Sequence, residues 1–260
     1  MSTATQTLQS DERAIGLLVG NDVTVGSDCD LGVRAILHDG VTLGAGVSLG
    51  ANVTIHPGTQ VGDGCRIADN VVLGKPVYLA KASTVAGKQL EPLTIGAGTT
   101  VGAGTVVCAG TTIGTDCLLG DQVSVRERCS LGNKVIVGRG SCVENDTTIG
   151  NGTKIQSNAY ITAYMTLEED VFIAPCVITT NDNFMGRTPE RFKHRGGPII
   201  RRGARIGGGA VLLPNIEIGE EAFVGAGAVV NKPVPPRKLV VGSPARVLRD
   251  VPENELLENQ

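Results

Sequence analysis

The chain has few aromatic residues. Phe, Trp and Tyr together make up 3% of its 260 residues, and Trp is absent. A globular core of ordinary width is filled largely by bulky side chains, so this scarcity indicates a narrow core packed with aliphatic residues. Gly, by contrast, occurs 36 times. An abundance of Gly is typical of a chain with many tight turns or close backbone contacts.

Charge excess and long apolar runs are also missing. The formal net charge is −3 and the isoelectric point is about 5.7, whereas a nucleic-acid-binding protein normally carries a basic excess. No apolar run of about 18 residues or more is present, so the sequence predicts no membrane span. The first twenty residues lack the basic and apolar regions of a secretory signal. We therefore expect a cytoplasmic protein that binds neither nucleic acid nor membranes.

The seven cysteines suggest packing rather than cross-linking. Four of them (Cys29, Cys65, Cys117 and Cys129) follow the lead residue of a six-residue unit by four positions, where other small residues also occur. No CxxC pair exists, and cytoplasmic thiols stay reduced. We expect small core fillers.

A six-residue repeat dominates the sequence. An apolar lead residue recurs at every sixth position in three runs of ten, fourteen and six units, from Val19 to Leu73, from Ile95 to Ile173 and from Ile200 to Val230. The residue after the lead is usually Gly, which we expect to supply unusual turn conformations. Such a unit suits a short strand plus a turn. Three units form an 18-residue triangular coil, and stacked coils bury one aliphatic column.

The repeat predicts an all-β fold, a parallel β-helix of about ten triangular coils. We place a lead-in at residues 1–18, the β-helix at 19–234 and a C-terminal tail with a short helix at 235–260. Two stretches lose the period and are predicted to be loop inserts, at 76–94 and 179–198. Loops of this length are usually functional or disordered.

Along one predicted edge of the β-helix, the residue after the lead is not Gly. Residues eighteen apart stack on one another, so one row contains Cys108, Arg126, Glu144, Thr162 and Thr180. The equivalent rows on the other two edges are mostly Gly or Ala. Replacing Gly repeatedly on one edge favours a functional surface, although a solvated edge remains the alternative. His38 and His56 extend this row only if the first insert adds no coil.

The C-terminal third resembles the hexapeptide-repeat acyltransferases. The resemblance rests on "IGGGAVLLP", "VGAGAVV" and "GSPAR", at residues 206–214, 224–230 and 242–246. It implies a left-handed β-helix, an acetyl-CoA or other acyl-CoA co-substrate, and a homotrimer with its sites between subunits. The motif residues predicted to bind the co-substrate are Gly207, Gly208, Ala210, Gly225 and Ala226. Its nucleotide phosphates need cations, and we expect Lys232, Arg237 and Arg246 to supply them.

A narrower resemblance concerns the acceptor. The stretch "VENDTTIG…YITAY…FIAPCVITTNDNFMGR" is similar to enzymes that acylate the amino group of nucleotide-linked deoxyamino sugars. Seven cations and one Glu between residues 187 and 205 fit a diphosphate ligand, although a charged loop would look the same. The predicted substrate-binding residues are Arg126, Tyr160, Tyr164, Arg187, Arg191 and Arg195.

The predicted reaction is attack by a sugar amine on an acyl thioester. We expect Glu144 or Asp182 to orient the amine, with Asn145 and Asn181 as polar positioning groups, because a neutral amine needs little help from a base. His194 is the alternative base.

Other classes of protein remain open. They are an O-acetyltransferase acting on a sugar or serine hydroxyl, and a structural β-helix without activity. A zinc enzyme of the γ-carbonic-anhydrase type would need three suitably spaced histidines, which His38, His56 and His194 do not supply, so no metal is expected.

Overall fold

The computed structural model describes residues 8–78 and 89–260. The chain divides into two compact units, Met1–Arg128 and Cys129–Gln260. Each unit is built from three parallel sheets, here called A, B and C, and the chain visits them in that order. Residues 79–88, the middle of the first predicted insert, lie outside the described part.

The first unit contains strands of two to four residues. Sheet A has Leu17–Val19, Ile36–Leu37, Thr54–Ile55, Val72–Lys75, Val106–Cys108 and Ser124–Val125. Sheet B has Thr24–Val25, Thr42–Leu43, Gln60–Val61, Thr94–Ile95 and Thr112–Ile113. Sheet C has Ser48–Leu49, Arg66–Ile67, Thr100–Val101 and Leu118–Leu119. Gln9–Asp11 adds an antiparallel strand beside Leu17–Val19, so part of the predicted lead-in is ordered as a hairpin.

The second unit repeats the plan. Sheet A has Cys142–Val143, Tyr160–Ile161, Ile178–Thr179, Val211–Leu212 and Val229–Val230. Sheet B has Ser130–Leu131, Thr148–Ile149, Thr166–Leu167, Ile199–Ile200 and Glu217–Ile218. Sheet C has Ile136–Val137, Lys154–Ile155, Phe172–Ile173, Arg205–Ile206, Phe223–Val224, Lys238–Val241 and Arg246–Asp250. The single α-helix among the described residues, Arg191–His194, lies in the second insert.

The lead residues form the core of each unit. Leu37, Ile55 and Leu73 in the first unit and Ile155 and Ile173 in the second are completely buried. Parallel pairing joins residues eighteen apart, for example Leu37 with Ile55 and Ile155 with Ile173. The predicted fold class, a left-handed parallel β-helix, is confirmed.

Small residues line the turns, and Thr and Cys occupy equivalent positions in different coils. The buried Thr105 hydroxyl donates to the carbonyl of Gly120 at 2.8 Å, and Thr153 donates to Glu168 in the same way at 2.8 Å. Cys129 places its Sγ 3.2 Å from the carbonyl of Glu144, the equivalent contact. Cys65, Cys117 and Cys129 are buried, and Cys29 is half-buried. Three of these four cysteines are thus core fillers, as predicted, whereas Cys29 is only half-buried and Cys176, outside this set, is exposed.

The expected reason for the Gly positions was wrong. The Gly after a lead residue has an ordinary φ, and left-handed φ values occur two residues later, at residues such as Asn52, Gly64 and Asp170. A Cβ on Gly62 would lie 2.6 Å from the amide nitrogen of Ala97 in the next coil. Close approach between coils therefore explains the Gly, rather than turn conformation.

The first insert adds no coil. Gln60–Val61 pairs directly with Thr94–Ile95, and Val72–Leu73 pairs with Val106–Val107. The extra residues therefore leave after sheet A and return at sheet B. This register places His38, His56 and Cys108 in one row of the first unit, as the sequence suggested conditionally.

The C-terminal boundary differs from the prediction. Leu239 and Val240 pair in parallel with Phe223 and Val224, so the β-helix continues beyond residue 234. Arg246–Asp250 then folds back antiparallel to Lys238–Val241. The helical tail is reduced to two single 3₁₀ turns, Glu253–Glu255 and Leu257–Asn259. No helix in the described part of the chain is long and apolar enough to cross a membrane.

Two glycines in one turn test the role of close approach. Gly62 has an ordinary φ but no room for a Cβ, whereas Gly64 has a φ of +64° and no atom within 4 Å of its ideal Cβ. We expect Gly62→Ala to cost about 3 kcal/mol or more through overpacking, and Gly64→Ala to cost about 1 kcal/mol through backbone strain. Urea unfolding of both variants gives the comparison, and the opposite ranking would refute this account of the glycines.

Candidate functional site

The candidate site of the second unit lies at the corner where the chain passes from sheet A to sheet B, called the A–B corner here. Glu144, Thr162 and Thr180 directly follow three successive A strands. Adjacent coils are about 4.8 Å apart, so these residues form a continuous row. The second insert leaves the same corner after Ile178–Thr179 and rejoins the β-helix at Ile199–Ile200.

Polar groups at this corner are partly buried. Asn145 is 6% exposed, and its side-chain amide donates to Asp146 at 2.5 Å. The Glu144 side chain is half-buried. Thr162 is buried, and its backbone N–H donates to the hydroxyl of Thr179. Polar groups in this setting are held in fixed positions, which is what a binding site requires.

Tyr164 occupies a backbone conformation that disfavours it. Its φ is +62°, at a turn position where Asn, Asp or Gly is common elsewhere in the chain. Bulky residues rarely adopt this conformation, which costs roughly 1–2 kcal/mol. Arg195 donates to the Tyr164 hydroxyl at 2.9 Å and lies 4.9 Å from the ring centroid. Strain of this kind is often found at functional positions.

The same tyrosine ties the insert to the β-helix. Its N–H donates to the carbonyl of Asn145, and its carbonyl accepts from the N–H of Gly197. Arg195 also lies 5.7 Å from the Phe192 ring, which Arg191 approaches to 5.1 Å. Rings and guanidinium groups thus alternate from the corner into the insert.

Asp182 has a structural task within the insert. Its carboxylate accepts the backbone N–H groups of Phe184 at 2.8 Å and Gly186 at 3.0 Å, and it pairs with Arg191 at 3.4 Å. The hydrogen bond from Gly186, followed by that from Phe184, lowers the pKa of Asp182. The carboxylate is therefore a weak base whose oxygens are already engaged. Asn181 is held nearby, and its side-chain amide reaches the carbonyl of Ala163 at 3.4 Å.

His194 lies in the insert rather than in the row. Its side chain is 59% exposed and pairs with Glu190 at 3.2 Å. Its ring centroid is 6.1 Å from that of Phe184. The insert carries this imidazole near the corner, without a described hydrogen bond to the row.

The predicted cluster of seven cations is not one cluster. Arg201 lies at a different corner between Glu168 and Glu217, at 2.7 and 2.9 Å. Arg202 pairs with Glu220, and Arg205 pairs with Glu255. Lys193 pairs with Glu190. Sequence spacing alone could not show that distant carboxylates pair with Arg201, Arg202 and Arg205.

The remaining predicted acceptor residues are distributed differently. Tyr160 lies on the outer face of sheet A beside Ile178, with 41% of its surface exposed. Arg187 is exposed in the insert. Arg126 belongs to the first unit, where its Nε lies 2.8 Å from the carboxylate of Glu127. The contact of Arg126 with an acceptor remains a prediction.

The five Gly and Ala residues predicted to bind the co-substrate flank the other side of sheet A. Gly207 and Gly225 lie at the corner between sheets C and A, and a Cβ on Gly207 would lie 2.5 Å from the amide nitrogen of Ala226. Gly208 is half-buried and Ala226 is exposed. The side chain of Ala210 is completely buried, so it offers no surface to a ligand.

The predicted phosphate-binding cations divide into two sets. Lys232 and Arg246 line one cavity of about 220 Å³ with Val230, Pro233, Val234, Pro235, Val240, Ala245 and Val247. Arg237 instead pairs with Glu258 at 3.2 Å, and the neighbouring Lys238 pairs with Asp250.

Several neighbours were missed by sequence reasoning. Phe184, Phe192 and Thr179 contact the predicted residues. The two phenylalanines could have been suspected, because the whole chain has only four. Nothing in the spacing of Thr179 distinguished it from other turn residues. No group of three or more His, Cys, Asp or Glu residues within 8–78 and 89–260 is placed to hold a metal.

The A–B corner of the first unit has different chemistry. The rings of His38 and His56 stack with centroids 5.2 Å apart and planes 6° from parallel. Burial lowers the pKa of both imidazoles. The charge of Asp39 opposes this shift at His38, whereas those of His38 and Lys75 add to it at His56. Glu127, only 1% exposed, lies between Arg126 and Arg128.

The histidine pair predicts acid sensitivity. Because both folded pKa values lie below the unfolded value of about 6.5, the stabilisation is complete above that pH. It is lost as the pH falls from about 6.5 through the lowered values. In phosphate-free buffer, the free energy of unfolding should therefore fall between pH 6.5 and 5, and fall less in a His38→Gln/His56→Gln variant. Identical pH profiles for the two proteins would contradict this.

We expect the contacts of Arg195 with Tyr164 and Phe192 to hold the insert against the β-helix. Arg195→Met removes a hydrogen bond and two cation–π contacts, together worth about 1–3 kcal/mol. Amide exchange in residues 183–197 should accelerate about 5- to 100-fold, as measured by hydrogen–deuterium exchange and mass spectrometry. Lys193→Met is the matched control, because Lys193 is 72% exposed and pairs only with Glu190 among the described ion pairs. Equal acceleration in both variants would exclude an anchoring role for Arg195.

Two family profiles match parts of the chain. A family profile described as "Bacterial transferase hexapeptide (six repeats)" matches residues 197–232, and one described as "GMPPB C-terminal domain" matches residues 31–137. The resemblance to the hexapeptide-repeat left-handed β-helix superfamily is therefore confirmed.

Individual relatives match only in part. A serine acetyltransferase of Buchnera aphidicola is 41% identical over 87 residues, covering 34% of this chain and 30% of the relative. The bifunctional protein GlmU of Rubrobacter xylanophilus is 52% identical over 60 residues, covering 23% and 12%. The chain thus spans less than a third of the length of either relative.

One solved structure is similar over most of the chain. The UDP-N-acetylglucosamine acyltransferase LpxA of Bacteroides fragilis matches 94% of this chain and 75% of its own, with 14% identity and a TM-score of 0.48.

Proposed function

We propose that the chain is an acyl-CoA-dependent N-acyltransferase that acts on the amino group of a nucleotide-linked deoxyamino sugar. The observation that carries this proposal is the A–B corner of the second unit. There Glu144, Asn145, Tyr164 and Asn181 come together beneath an anchored insert. The match of residues 197–232 to a transferase repeat family supports the same class.

The acceptor is proposed to bind between the row and the insert. Glu144 supplies a half-buried carboxylate, which attracts an ammonium or orients an amine. Arg187 and Lys193 are exposed in the insert and are suited to the phosphates of a nucleotide. Asp182, Arg191 and Arg195 are proposed to support this pocket by holding the insert.

The acyl donor is proposed to bind at the corner between sheets C and A. A pantetheine arm is long and rich in amides, so it is proposed to lie along the backbone at Gly208 and Ala226, which are accessible and have little or no side chain. Lys232 and Arg246, which share one cavity, are proposed to hold the nucleotide phosphates of coenzyme A.

Donor and acceptor corners lie on opposite sides of sheet A in the second unit. The outer face of this sheet consists of five apolar or weakly polar side chains: Cys142, Tyr160, Ile178, Val211 and Val229. We propose that a second copy packs on this face, so that the donor corner of one copy meets the acceptor corner of another. In a homotrimer each copy would use its donor corner toward one neighbour and its acceptor corner toward the other, so that no contact surface is left without a partner.

The proposed reaction forms an amide bond and breaks a thioester bond. The amine nitrogen attacks the carbonyl carbon, and backbone N–H groups stabilise the developing oxyanion. Coenzyme A leaves as the thiolate or, after proton transfer, as the thiol. The amine loses its proton only after attack, so Glu144 needs to orient the nucleophile and accept a proton late, directly or through water.

An O-acetyltransferase is the second candidate. The partial match to a serine acetyltransferase favours it. A hydroxyl acceptor needs a general base, and His194 is the imidazole that the insert brings to this corner. His194 is largely exposed and makes no described hydrogen bond to the row, which favours the amine acceptor over the hydroxyl acceptor.

The test is thiol release from acetyl-CoA with nucleotide-linked 3-amino and 4-amino sugars, with a hydroxyl-only nucleotide sugar as the control. We expect turnover on an amino sugar and at least about a hundredfold lower kcat in Glu144→Gln, because the group that orients the amine is lost. Glu168→Gln is the matched control, since Glu168 occupies the equivalent turn position at another corner and pairs with Arg201. A blank without acceptor corrects for the seven cysteines.

Three outcomes would count against the proposal. Turnover on the hydroxyl control with a severe loss in His194→Ala would establish the O-acetyltransferase instead. Equal losses in Glu144→Gln and Glu168→Gln would remove Glu144 from the chemistry. Absence of coenzyme A binding would leave a structural β-helix.

A further inference from the structure

The second insert contains one half-buried cation without a carboxylate partner. Of the seven cations between residues 187 and 205, five pair with carboxylates: Arg191, Lys193, Arg201, Arg202 and Arg205. The other two form no ion pair with a described residue, and of these Arg187 is exposed whereas Arg195 is half-buried. A charge partly removed from water without a counterion is costly. An anion beside Arg195 would therefore be stabilised.

Most N–H groups of Arg195 have no acceptor in the described part of the chain. A guanidinium carries five N–H groups and cannot accept a hydrogen bond. One described side-chain hydrogen bond uses them, from Nη2 to the Tyr164 hydroxyl at 2.9 Å. The carboxylate of Asp182 is engaged by the N–H groups of Phe184 and Gly186 and by Arg191 instead. Arg195 thus retains donors for a ligand.

The hydrogen bond from Arg195 also determines what the Tyr164 hydroxyl can do. Because a guanidinium only donates, the phenol oxygen is the acceptor, and its own hydrogen must point elsewhere. No described residue accepts that hydrogen. Tyr164 is half-buried, so part of its side chain remains open to solvent. The pair therefore presents an O–H donor beside a positive charge.

The backbone of Tyr164 supports a role for the hydroxyl. Its φ of +62° falls at the turn position that Asp146, Asn158 and Asp170 occupy in other turns. Asn and Asp adopt this conformation more easily than a bulky residue does. Either would fill the turn with less strain, but neither carries a hydroxyl group. Strain that a simpler residue would relieve is typical of functional positions.

We propose that Tyr164 and Arg195 together bind a phosphate group of the nucleotide-linked acceptor. The identity of this ligand rests on the proposed function. The Tyr164 O–H and a remaining N–H of Arg195 would donate to oxygens of one phosphate, and the guanidinium supplies the opposite charge. Arg195 has two tasks in this proposal, since its stack on Tyr164 also holds the insert against the β-helix.

The first test uses the full chain labelled with ¹³C at the Cζ of tyrosine and titrated with inorganic pyrophosphate at constant ionic strength. The chain has only three tyrosines. Tyr78, which is 87% exposed and belongs to the first unit, is the internal reference. The signal that is lost in Tyr164→Phe belongs to Tyr164. We expect a saturable shift of the Tyr164 signal and none of the Tyr78 signal.

The second test measures pyrophosphate affinity by calorimetry in a Lys232→Met/Arg246→Met chain, which lacks the cations proposed to bind coenzyme A. In that chain, Tyr164→Phe keeps the ring and removes only the hydroxyl. It should weaken binding at least about tenfold, because a hydrogen bond to a charged group is lost. Arg195→Met should weaken binding by at least as much.

Two matched controls accompany these variants. Tyr78→Phe removes a hydroxyl that is far more exposed. Arg202→Met removes a cation that pairs with Glu220. Both should leave pyrophosphate affinity unchanged.

Three results would overturn the proposal. They are a Tyr164 signal without a saturable shift, equal affinity in the parent chain and both variants, and a loss in Arg195→Met alone, which would reflect only a loosened insert. The outcome is separable from the proposed function, because pyrophosphate binding requires no acyl transfer. A chain that binds pyrophosphate at Tyr164 but acylates no amino sugar would keep this anion site and lose the proposed activity.

Discussion

The close approach of consecutive coils at their corners constrains everything else in this chain. An added Cβ on Gly26, Gly62 or Gly96 would lie 2.6 Å from backbone atoms of the next coil, which no side chain tolerates. Gly is therefore required for packing at most corner positions. Where another residue stands there, its exposure varies: Glu144 is half-buried, whereas Cys108 and Thr162 are buried.

Because Gly is required at most corner positions, the corner residues that are not Gly need an explanation. At one corner of the second unit, Glu168 and Arg201 replace Gly and are explained by their mutual salt bridge. At the A–B corner, the replacements are accompanied by buried polar neighbours, a strained tyrosine and an anchored insert. In both units an insert leaves from the A–B corner, but the polar residues at that corner are of different kinds in the two units. The acidic and amide groups of the second unit suit an amine, whereas the first unit places two stacked imidazoles at this corner.

The sequence was sufficient for the architecture because one rule repeats many times. Lead positions such as Ile55 and Ile155 are buried as predicted, and both inserts lie where the period is lost. The rule could not explain why Gly follows the lead, since an ordinary φ and a close contact are visible only in three dimensions. The end of the β-helix was missed because Val240 follows a Pro-rich stretch without the six-residue spacing.

The site was less predictable than the fold. The row containing Glu144 could be read from the spacing of eighteen. The partners of Asp182 and Arg195 could not, because an irregular insert of about twenty residues has no register. The cations of that stretch looked like one cluster, yet Arg201, Arg202 and Arg205 each meet a glutamate from a distant part of the chain. Charge counts along a sequence do not reveal neutralisation by other coils.

The central claim is that the A–B corner of the second unit binds the acceptor while the corner with Gly207 and Gly225 binds the donor. Hydrogen–deuterium exchange of the full chain, with and without coenzyme A and then with an added nucleotide-linked amino sugar, tests it most directly. The account predicts that coenzyme A slows exchange around residues 207–209 and 225–227. The sugar should slow exchange around 144–146, 162–164 and 181–197. Protection by the sugar confined to the first unit, or by coenzyme A at neither set of glycines, would contradict it.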